Sequence, residues 1–351
     1  MKVLTILGTR PEYLRLIITI KKLDKYFNHK LIWLSQNFEE CLSNQFFEEF
    51  DRYPDIKIHN DNKLTGNNYI GNTITQLSNI LLKEAPDSVI ILGDTNAAFS
   101  AVFVAKKLGI KIFHAEAGNR CYNMTQVPEE INRKLIDSIS DWHLCYTQRS
   151  REQLLLEGTH PSKCIVIGNP IVELIHNTIN KYNIKNNNYD DFYLITIHRK
   201  ENINNNKQLK NILNIFNSLD SKIKLSYHPS LKQKMFEYGL SINSYNNIEF
   251  ITPPNFKEFL KLEIAAKCII TDSGTIPEEC HVLKKPCVLF RSSTERPELL
   301  ESNDMILCNN PIFIKNAVKI VIDENNNIDI RDYHNYSSSN IIKILMRSGN
   351  V

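Results

Sequence analysis

The segment Lys2-Val-Leu-Thr-Ile-Leu-Gly-Thr-Arg-Pro-Glu12 decides the fold, because it joins a strand, a glycine turn and a helix start. The apolar run is typical of a buried parallel strand, and Pro11 is typical of a first helical turn. Gly8 allows backbone N–H groups to approach an anion, and the helix directs its positive end to the same point. The turn alone fits a purely structural role equally well. Arg10 favours a phosphate site, since a guanidinium binds phosphate through two hydrogen bonds.

The same alternation of strand and helix patterns continues along the chain. It predicts an α/β fold in which two doubly wound, Rossmann-like domains face each other across a cleft. The predicted strands are Lys2–Leu7, Leu31–Leu34, Ser88–Leu92, Lys111–His114 and Cys164–Ile167, then Phe192–Thr196, Lys224–Tyr227, Ile248–Phe250, Cys268–Thr271 and Cys287–Leu289. The predicted helices include Tyr13–Tyr26, Ala97–Leu108, Pro128–Ile139, Gln148–Glu157, Ile171–Ile179, Gln208–Asn217 and Pro277–Leu283.

The domain boundary is expected where the pattern restarts. A length of 351 residues suffices for two domains with separate cores. Asn169-Pro170 and the polar, asparagine-rich stretch that continues to Asp191 form the hinge candidate. We therefore predict an N-terminal α/β domain over 1–170 and a C-terminal α/β domain over 171–334.

The composition argues against several classes of protein. The net charge of +3 is small and dispersed, unlike the clustered Lys and Arg of a nucleic-acid-binding face. Eight scattered cysteines form no Cys-x-x-Cys pair, which is typical of reduced thiols and argues against a disulfide framework or a zinc site. The chain begins directly in a strand pattern, and no apolar run approaches the length of a membrane span. We expect a cytoplasmic protein that neither binds nucleic acid nor inserts into a membrane.

Three acidic residues follow one another along the chain at places where a strand ends or a helix begins. Asp94 follows one strand, Glu116 follows the next, and Glu129 opens the helix after it. An aspartate there can be a helix N-cap, and a glutamate in a first turn ordinarily complements the helix dipole. Because parallel strands bind ligands at their carboxyl ends, we expect the three carboxylates to gather there. Crowded carboxylates raise one another's pKa, so that one can serve as a general acid.

Histidine and arginine follow the first strands of the second half. His198 and Arg199 follow its first strand, and His228 follows its second. Either histidine alone fits a satisfied polar residue, whereas His198 beside Arg199 favours a diphosphate clamp or a proton carrier.

Two charged turns come later in the second half. Asp272-Ser-Gly-Thr275 is an anion-binding turn that leads into a helix, and Glu279 lies one turn further on, where an acid suits a ribose diol. Thr294-Glu-Arg-Pro-Glu298 is the other charged turn, and we expect it to face the first domain.

With these motifs in order, the chain resembles the non-hydrolysing UDP-N-acetylglucosamine 2-epimerase family over nearly its whole length. The resemblance implies the GT-B fold and an isomerase that inverts C2 of a UDP-2-acetamido sugar without a metal or another cofactor. UDP leaves C1 by anti elimination as the C2 proton is removed, and it re-adds to the 2-acetamidoglycal after protonation on the opposite face. The resemblance also implies a homodimer. It implies, too, a final helix near Ser337–Met346, within 335–351, that returns to the N-terminal domain.

Roles follow from the resemblance residue by residue. The residues that match catalytic positions are Asp94, Glu116, Glu129 and His198, the last at the departing diphosphate. The residues that match UDP ligands are Arg10, His228, Ser273, Gly274 and Glu279. The further predicted substrate- or UDP-binding residues are Arg15, Arg120, Arg199, Thr275 and Arg296. Which carboxylate faces which side of C2 stays open.

Departures from the common motifs bear on the sugar. Asn119 stands where leucine is usual, Thr275 replaces a glycine, Asn96 replaces a threonine, and the segment before Val127 is one residue shorter. These changes are similar to the branch that acts on modified sugars of surface polysaccharides. They favour a UDP-2-acetamido-2,6-dideoxy-L-hexose. UDP-N-acetylglucosamine and UDP-2,3-diacetamido uronates are the alternatives.

Three rival functions use the same pocket. A GT-B glycosyltransferase would need an acceptor groove and has no use for three carboxylates around C2. A hydrolysing epimerase would release free sugar and UDP. A nucleotide-sugar sensor without activity would not need Asp94, Glu116, Glu129 and His198.

Overall fold

The computed structural model describes residues 1–35, 40–58, 66–125, 127–184, 191–301, 305–324 and 336–348. The chain divides into two compact units. Unit 1 comprises Met1–His176 with Arg331–Val351, and unit 2 comprises Asn177–Ile330. Most of the polar stretch predicted as the hinge, residues 185–190, lies outside the described residues, as does the predicted boundary between 334 and 335.

Unit 1 is built on a parallel sheet whose described strands run in the order β3-β2-β1-β4-β5-β6-β7. Its strands are β1 (Lys2–Leu7), β2 (Asn28–Trp33), β3 (Ile56–Lys57), β4 (Ser88–Leu92), β5 (Lys111–Ala115), β6 (Trp142–Cys145) and β7 (Cys164–Val166). Its helices are α1 (Arg10–Tyr26), α2 (Glu40–Phe50), α3 (Gly66–Glu84), α4 (Asn96–Lys107), α5 (Glu129–Ile139), α6 (Gln148–Leu156) and α7 (Pro170–Tyr182), within which the unit ends. All five residues of β4 are buried, as expected for a central strand covered on both faces.

Unit 2 has a second parallel sheet, with described strands in the order β10-β9-β8-β11-β12-β13. Its strands are β8 (Phe192–Thr196), β9 (Lys222–Ser226), β10 (Ile248–Ile251), β11 (Cys268–Thr271), β12 (Cys287–Leu289) and β13 (Met305–Leu307). Its helices are α8 (Lys200–Ile203), α9 (Asn206–Asn217), α10 (Pro229–Glu237), α11 (Phe256–Ala265), α12 (Ile276–Leu283) and α13 (Ile314–Asp323). The core packs Leu209 and Phe216 of α9 against Leu225 and Val288 of the sheet.

The last helix, α14 (Ser337–Ser348), belongs to unit 1 and packs on α1. Glu173 of α7 accepts hydrogen bonds from the backbone N–H of Ser338 at 3.0 Å and from its hydroxyl at 2.6 Å. Lys22 of α1 donates to the same hydroxyl at 2.6 Å. The bond to the Ser338 N–H satisfies one N-terminal donor of the helix, whose side chains Ile341 and Leu345 are buried.

The predicted α/β class with two Rossmann-like sheets is confirmed. The prediction missed three short strands, β3, β6 and β13. Helix α1 begins at Arg10 rather than at Tyr13, since Pro11 is inside its first turn. Among the described helices, none is long and apolar enough to cross a membrane.

Candidate active site

The strand order of unit 1 places a topological switch point between β1 and β4. From β1 the chain continues to β2, and from β4 it continues to β5 in the opposite direction along the sheet. Doubly wound folds bind ligands at the turns that follow two such strands. Arg10 begins α1 at this edge and is half-buried. Asp94 follows β4, and Glu116 follows the neighbouring β5. Two of the predicted carboxylates are therefore brought to adjacent strand ends.

Glu116 is held in a strained backbone conformation. Its φ is +70°, in the left-handed region that side chains other than glycine rarely adopt. Gly118 continues the turn with a φ of +86°, and a Cβ there would lie 2.1 Å from the carbonyl oxygen of Ser150. The Glu116 side chain is buried, with a carboxylate oxygen 3.4 Å from the Arg15 guanidinium. The predicted substrate ligand Arg15 is thus itself buried against a predicted catalytic acid.

Arg133, to which no role was predicted, positions Asp94. Its guanidinium donates to the carboxylates of Asp94 and Glu130. Glu130 also accepts hydrogen bonds from the backbone N–H groups of Cys121 and Tyr122, both at 3.2 Å. Although burial raises it, the pKa of the Glu130 carboxyl lies below its ordinary value, because Arg133 and these donors favour the charged form. The Glu-x-x-Arg spacing of these two residues was the signal that could have identified them.

Glu129 and Glu130 point in different directions although they are neighbours in the first turn of α5. The Glu130 side chain is fully buried, whereas Glu129 is exposed. The predicted catalytic residue of the pair is therefore the one that can reach solvent or a ligand.

The Arg120 guanidinium forms ion pairs with two acidic side chains of unit 1. It donates to Asp137 at 2.7 Å and to both oxygens of Glu157 at 2.9 and 2.5 Å. Asp137 also binds His114, at 2.7 Å, whose other ring nitrogen lies 2.9 Å from the carbonyl oxygen of Gly93. Burial opposes ionisation, but His114 and Arg120 lower the pKa of Asp137 to about 2. Arg120 is thus part of a network that joins β5, α5, the turn after β4 and the end of α6.

Glu12 is a further acid of the switch point to which no role was predicted. One carboxylate oxygen accepts hydrogen bonds from the backbone N–H groups of Gly8 at 2.6 Å and Thr9 at 3.0 Å. Burial raises the pKa of Glu12 to about 7, and nearby Asp94 also acts to raise it. The hydrogen bonds fix the turn after β1.

In unit 2 the corresponding switch point lies between β8 and β11. The fully buried Asp272, which follows β11, accepts hydrogen bonds from the backbone N–H groups of His198 at 3.0 Å and Arg199 at 2.9 Å. Asn202 donates to it at 2.9 Å, and His198 Nδ1 lies 3.2 Å from it. Asp272 was quoted within a motif but not assigned. Its position shows that it fixes the turn that carries His198.

The two predicted histidines of unit 2 are neighbours. The His198 and His228 rings have their centroids 5.0 Å apart. His228 caps α10, and its Nδ1 accepts the backbone N–H of Ser230 at 3.3 Å, which leaves Nε2–H as a donor. Both side chains are half-buried, so the pair can present N–H groups to an anion.

The turn Ser273-Gly274-Thr275 leads into α12, with Thr275 at the N-cap. A Cβ at Gly274 would lie 2.7 Å from a Glu295 oxygen, 3.7 Å from Arg291 and 3.8 Å from Arg199. Glycine keeps this turn clear of the Glu295 carboxylate and beside two guanidinium groups. No role was predicted for Arg291, because it directly follows an apolar strand and is buried.

Arg296, another of the predicted ligands, is buried in unit 2. Its buried guanidinium pairs with Glu278 and, at 3.0 Å, with Glu295. We assign it to the support of the loop after β12. Among the described residues, no group of His, Cys, Asp and Glu side chains could hold a metal ion.

Comparisons with known proteins show the family. A family model described as UDP-N-acetylglucosamine 2-epimerase matches residues 21–346. The chain belongs to this family. It is accordingly an isomerase, a UDP-sugar 2-epimerase, and the family resemblance read from the sequence is confirmed.

Individual relatives cover nearly the whole chain. The UDP-N-acetylglucosamine 2-epimerase of Methanocaldococcus jannaschii is 36% identical, over 98% of this chain and 99% of the relative. A crystal structure of UDP-GlcNAc 2-epimerase from that organism, in complex with UDP-GlcNAc and UDP, has a TM-score of 0.90 at 34% identity and covers 99% of this chain and 100% of its own. A UDP-2,3-diacetamido-2,3-dideoxy-D-glucuronate 2-epimerase of Pseudomonas aeruginosa is 30% identical over 88% of each chain.

Proposed function

We propose that this epimerase acts by anti elimination and re-addition of UDP. The C1–O bond breaks and its electron pair leaves with UDP, the C2 proton goes to a carboxylate, and a C1=C2 double bond forms in a 2-acetamidoglycal. Protonation of C2 on the opposite face and re-addition of UDP at C1 give the epimer. The carrying observation is that Asp94 and Glu116 follow adjacent strands at the switch point of unit 1. Elimination needs carboxylates both to move the proton and to stabilise positive charge at C1.

Asp94, Glu116 and Glu129 are proposed as the catalytic carboxylates. The buried cations Arg15 and Arg133 support this role, because each keeps a neighbouring carboxylate charged and oriented. The exposed position of Glu129 is compatible with a group that exchanges its proton with solvent between half-reactions.

Unit 2 is proposed to hold UDP. The helix N-terminus after Ser273 and Gly274 offers donors to a diphosphate. The guanidinium groups of Arg199 and of Arg291, the latter paired with Glu295 at 3.0 Å, lie beside this turn and supply positive charge. His198 is proposed to assist the departing diphosphate, and Glu279 to bind the ribose.

UDP-N-acetylglucosamine is the first candidate substrate. The relatives named for it are the basis, and two of the departures that favoured a modified sugar have an internal explanation. Asn96 accepts a hydrogen bond from Asn132 at 2.9 Å, and Asn119 accepts one from Ser150 at 2.8 Å. A UDP-2-acetamido-2,6-dideoxy-L-hexose is the second candidate, favoured by Thr275, whose hydroxyl lies 3.2 Å from that of Ser273 in the proposed UDP turn.

A panel of UDP-sugars without any acceptor tests the function. It should contain UDP-N-acetylglucosamine, the 6-deoxy-L-talo and L-rhamno 2-acetamido compounds and a 2,3-diacetamido uronate. Proton NMR is expected to show a new, still UDP-linked sugar whose H1–H2 coupling identifies the C2 epimer. Conversion of only a 6-deoxy compound would establish the second candidate. Free sugar and UDP would contradict the proposed non-hydrolysing mechanism.

We also propose a homodimer. Helix α5 exposes Ile131 and Leu135, which are spaced one turn apart on the same face, and α4 exposes Phe103. Such apolar side chains favour burial against a second copy of the chain.

A further inference from the structure

A second glutamate lies behind the one proposed to bind the ribose. Glu263, on α11, has a side chain that is 0% exposed. Neither of its oxygens accepts a hydrogen bond from a donor of the described residues. The group within hydrogen-bonding reach is the carboxyl of Glu279, on the first turn of α12 and itself 6% exposed.

Two carboxylates in contact inside a protein repel each other, and each loses its hydration. Among the described residues, no cation lies within ion-pair distance of Glu263. The nearby thiols Cys280 and Cys287 are fully buried as well. Lys285 directs its ammonium group to the carbonyl oxygens of Ile264 and Ala266 at the end of α11.

The arrangement is stable only if one of the two acids holds a proton. Burial raises the pKa of Glu263 well above its ordinary value, and Glu279 raises it further. Glu263 is the more buried of the two acids, so the proton is expected on Glu263 rather than on Glu279. Its O–H group can then donate a hydrogen bond to the Glu279 carboxylate.

We infer that Glu263 is a neutral carboxylic acid whose O–H donates to Glu279 and fixes the orientation of that carboxylate. Glu263 is thus a positioning residue. Held from behind in this way, the Glu279 carboxylate has a fixed orientation in which to meet the two ribose hydroxyls. This inference rests on the proposed function, because it takes Glu279 as the ribose ligand.

Two substitutions distinguish the hydrogen-bond donor of Glu263 from the space that its side chain fills. Glu263→Gln keeps the shape and an N–H donor, whereas Glu263→Leu keeps the volume and removes the donor. Infrared difference spectroscopy at neutral pH is expected to show the C=O band of a protonated carboxyl in the wild type and to lose it in Glu263→Gln. If the band is absent from the wild type, or unchanged by Glu263→Gln, the inference is wrong.

Affinity supplies the second readout. UDP is expected to bind Glu263→Gln about as well as the wild type and Glu263→Leu about tenfold more weakly. For 2′,3′-dideoxy-UDP, the wild type and Glu263→Leu should bind equally. A folded Glu263→Leu protein with wild-type affinity for UDP would overturn the positioning role. If the wild type binds UDP and the dideoxy analogue equally, the proposed role of Glu279 fails, and with it the ribose half of the inference. The infrared band would still show whether Glu263 is protonated beside Glu279.

Discussion

The guanidinium of Arg15 lies 3.4 Å from a carboxylate oxygen of Glu116, and both side chains are buried. One residue belongs to α1 and the other to the left-handed turn after β5, so the pair ties two neighbouring parts of the switch point together. A buried carboxylate needs a nearby cation to remain charged. We therefore expect Arg15 to act on the chemistry through Glu116, and a kinetic experiment can distinguish this from direct substrate binding.

Replacing Arg15 with methionine should lower kcat far more than it raises KM. Without its cation, Glu116 is no longer held charged in the reactive orientation, and loss of a positioned acid or base lowers kcat about 100-fold. Steady-state kinetics with the converted UDP-sugar measures both constants. Arg15→Lys keeps the charge and should retain most of the activity. A variant whose KM rises while kcat is unchanged would mean that Arg15 binds substrate directly.

Replacing Arg133 with methionine should destabilise unit 1. The substitution leaves Glu130 buried without its partner and releases Asp94, so we expect a loss of about 3 kcal/mol in the free energy of unfolding. Urea unfolding measures the loss. Ser138→Ala, at an exposed position of the same helix, is the matched control and should change stability very little. Equal stability of the two variants would contradict this role.

Glu12 should make stability fall as the pH rises. Its pKa is about 7 in the folded protein against an ordinary 4.5, so below pH 4.5 both states hold the proton. Between pH 4.5 and 7 only the folded protein keeps it, and the free energy of unfolding decreases through this window by up to about 3 kcal/mol. Urea unfolding at pH 5 and at pH 8 measures this decrease in the free energy of unfolding. The decrease should be smaller in Glu12→Gln than in the wild type. Glu48→Gln, an exposed glutamate of α2, should behave like the wild type.

Alanine at Gly274 should weaken UDP binding. Its methyl group would meet Glu295 at 2.7 Å and narrow the space before Arg291 and Arg199, so we expect about a tenfold higher Kd by calorimetry. Gly71→Ala is the matched control, because a Cβ at this position in α3 meets nothing within 4 Å. It should leave the Kd unchanged and stabilise the helix by about 0.5–1 kcal/mol. An unaltered Kd in Gly274→Ala would remove this turn from the proposed UDP site.

Glutamate at both Ile131 and Leu135 should dissociate the proposed homodimer. Charged side chains on that face of α5 would be desolvated in the interface. Light scattering after size-exclusion chromatography gives the mass. The wild type should have twice the mass of the double variant. Leu156→Glu, at an exposed position of α6, should stay dimeric. A monomeric wild type would contradict the proposal.

The strand-end turns were predictable because glycine and proline mark them locally. Gly8, Pro11 and Gly93 signal their turns within a few residues, and these signals were enough to predict the α/β class. Partners that are distant in sequence were not predictable in this way. The internal ion pairs of Arg120 and Arg296 were not foreseen, because a sequence does not tell which guanidinium is paired inside the fold. Asp272 and Glu263 were missed because only packing brings them against His198 and Glu279.

Solvent exchange at C2 tests the elimination mechanism most directly. The purified enzyme should be incubated in D₂O with the UDP-sugar that it converts, and the product followed by proton NMR. We expect deuterium at C2 of an epimerised, still UDP-linked sugar, and loss of that exchange in Asp94→Asn despite normal UDP binding. Epimerisation with the original C2 proton fully retained would contradict removal of that proton to a carboxylate in exchange with solvent.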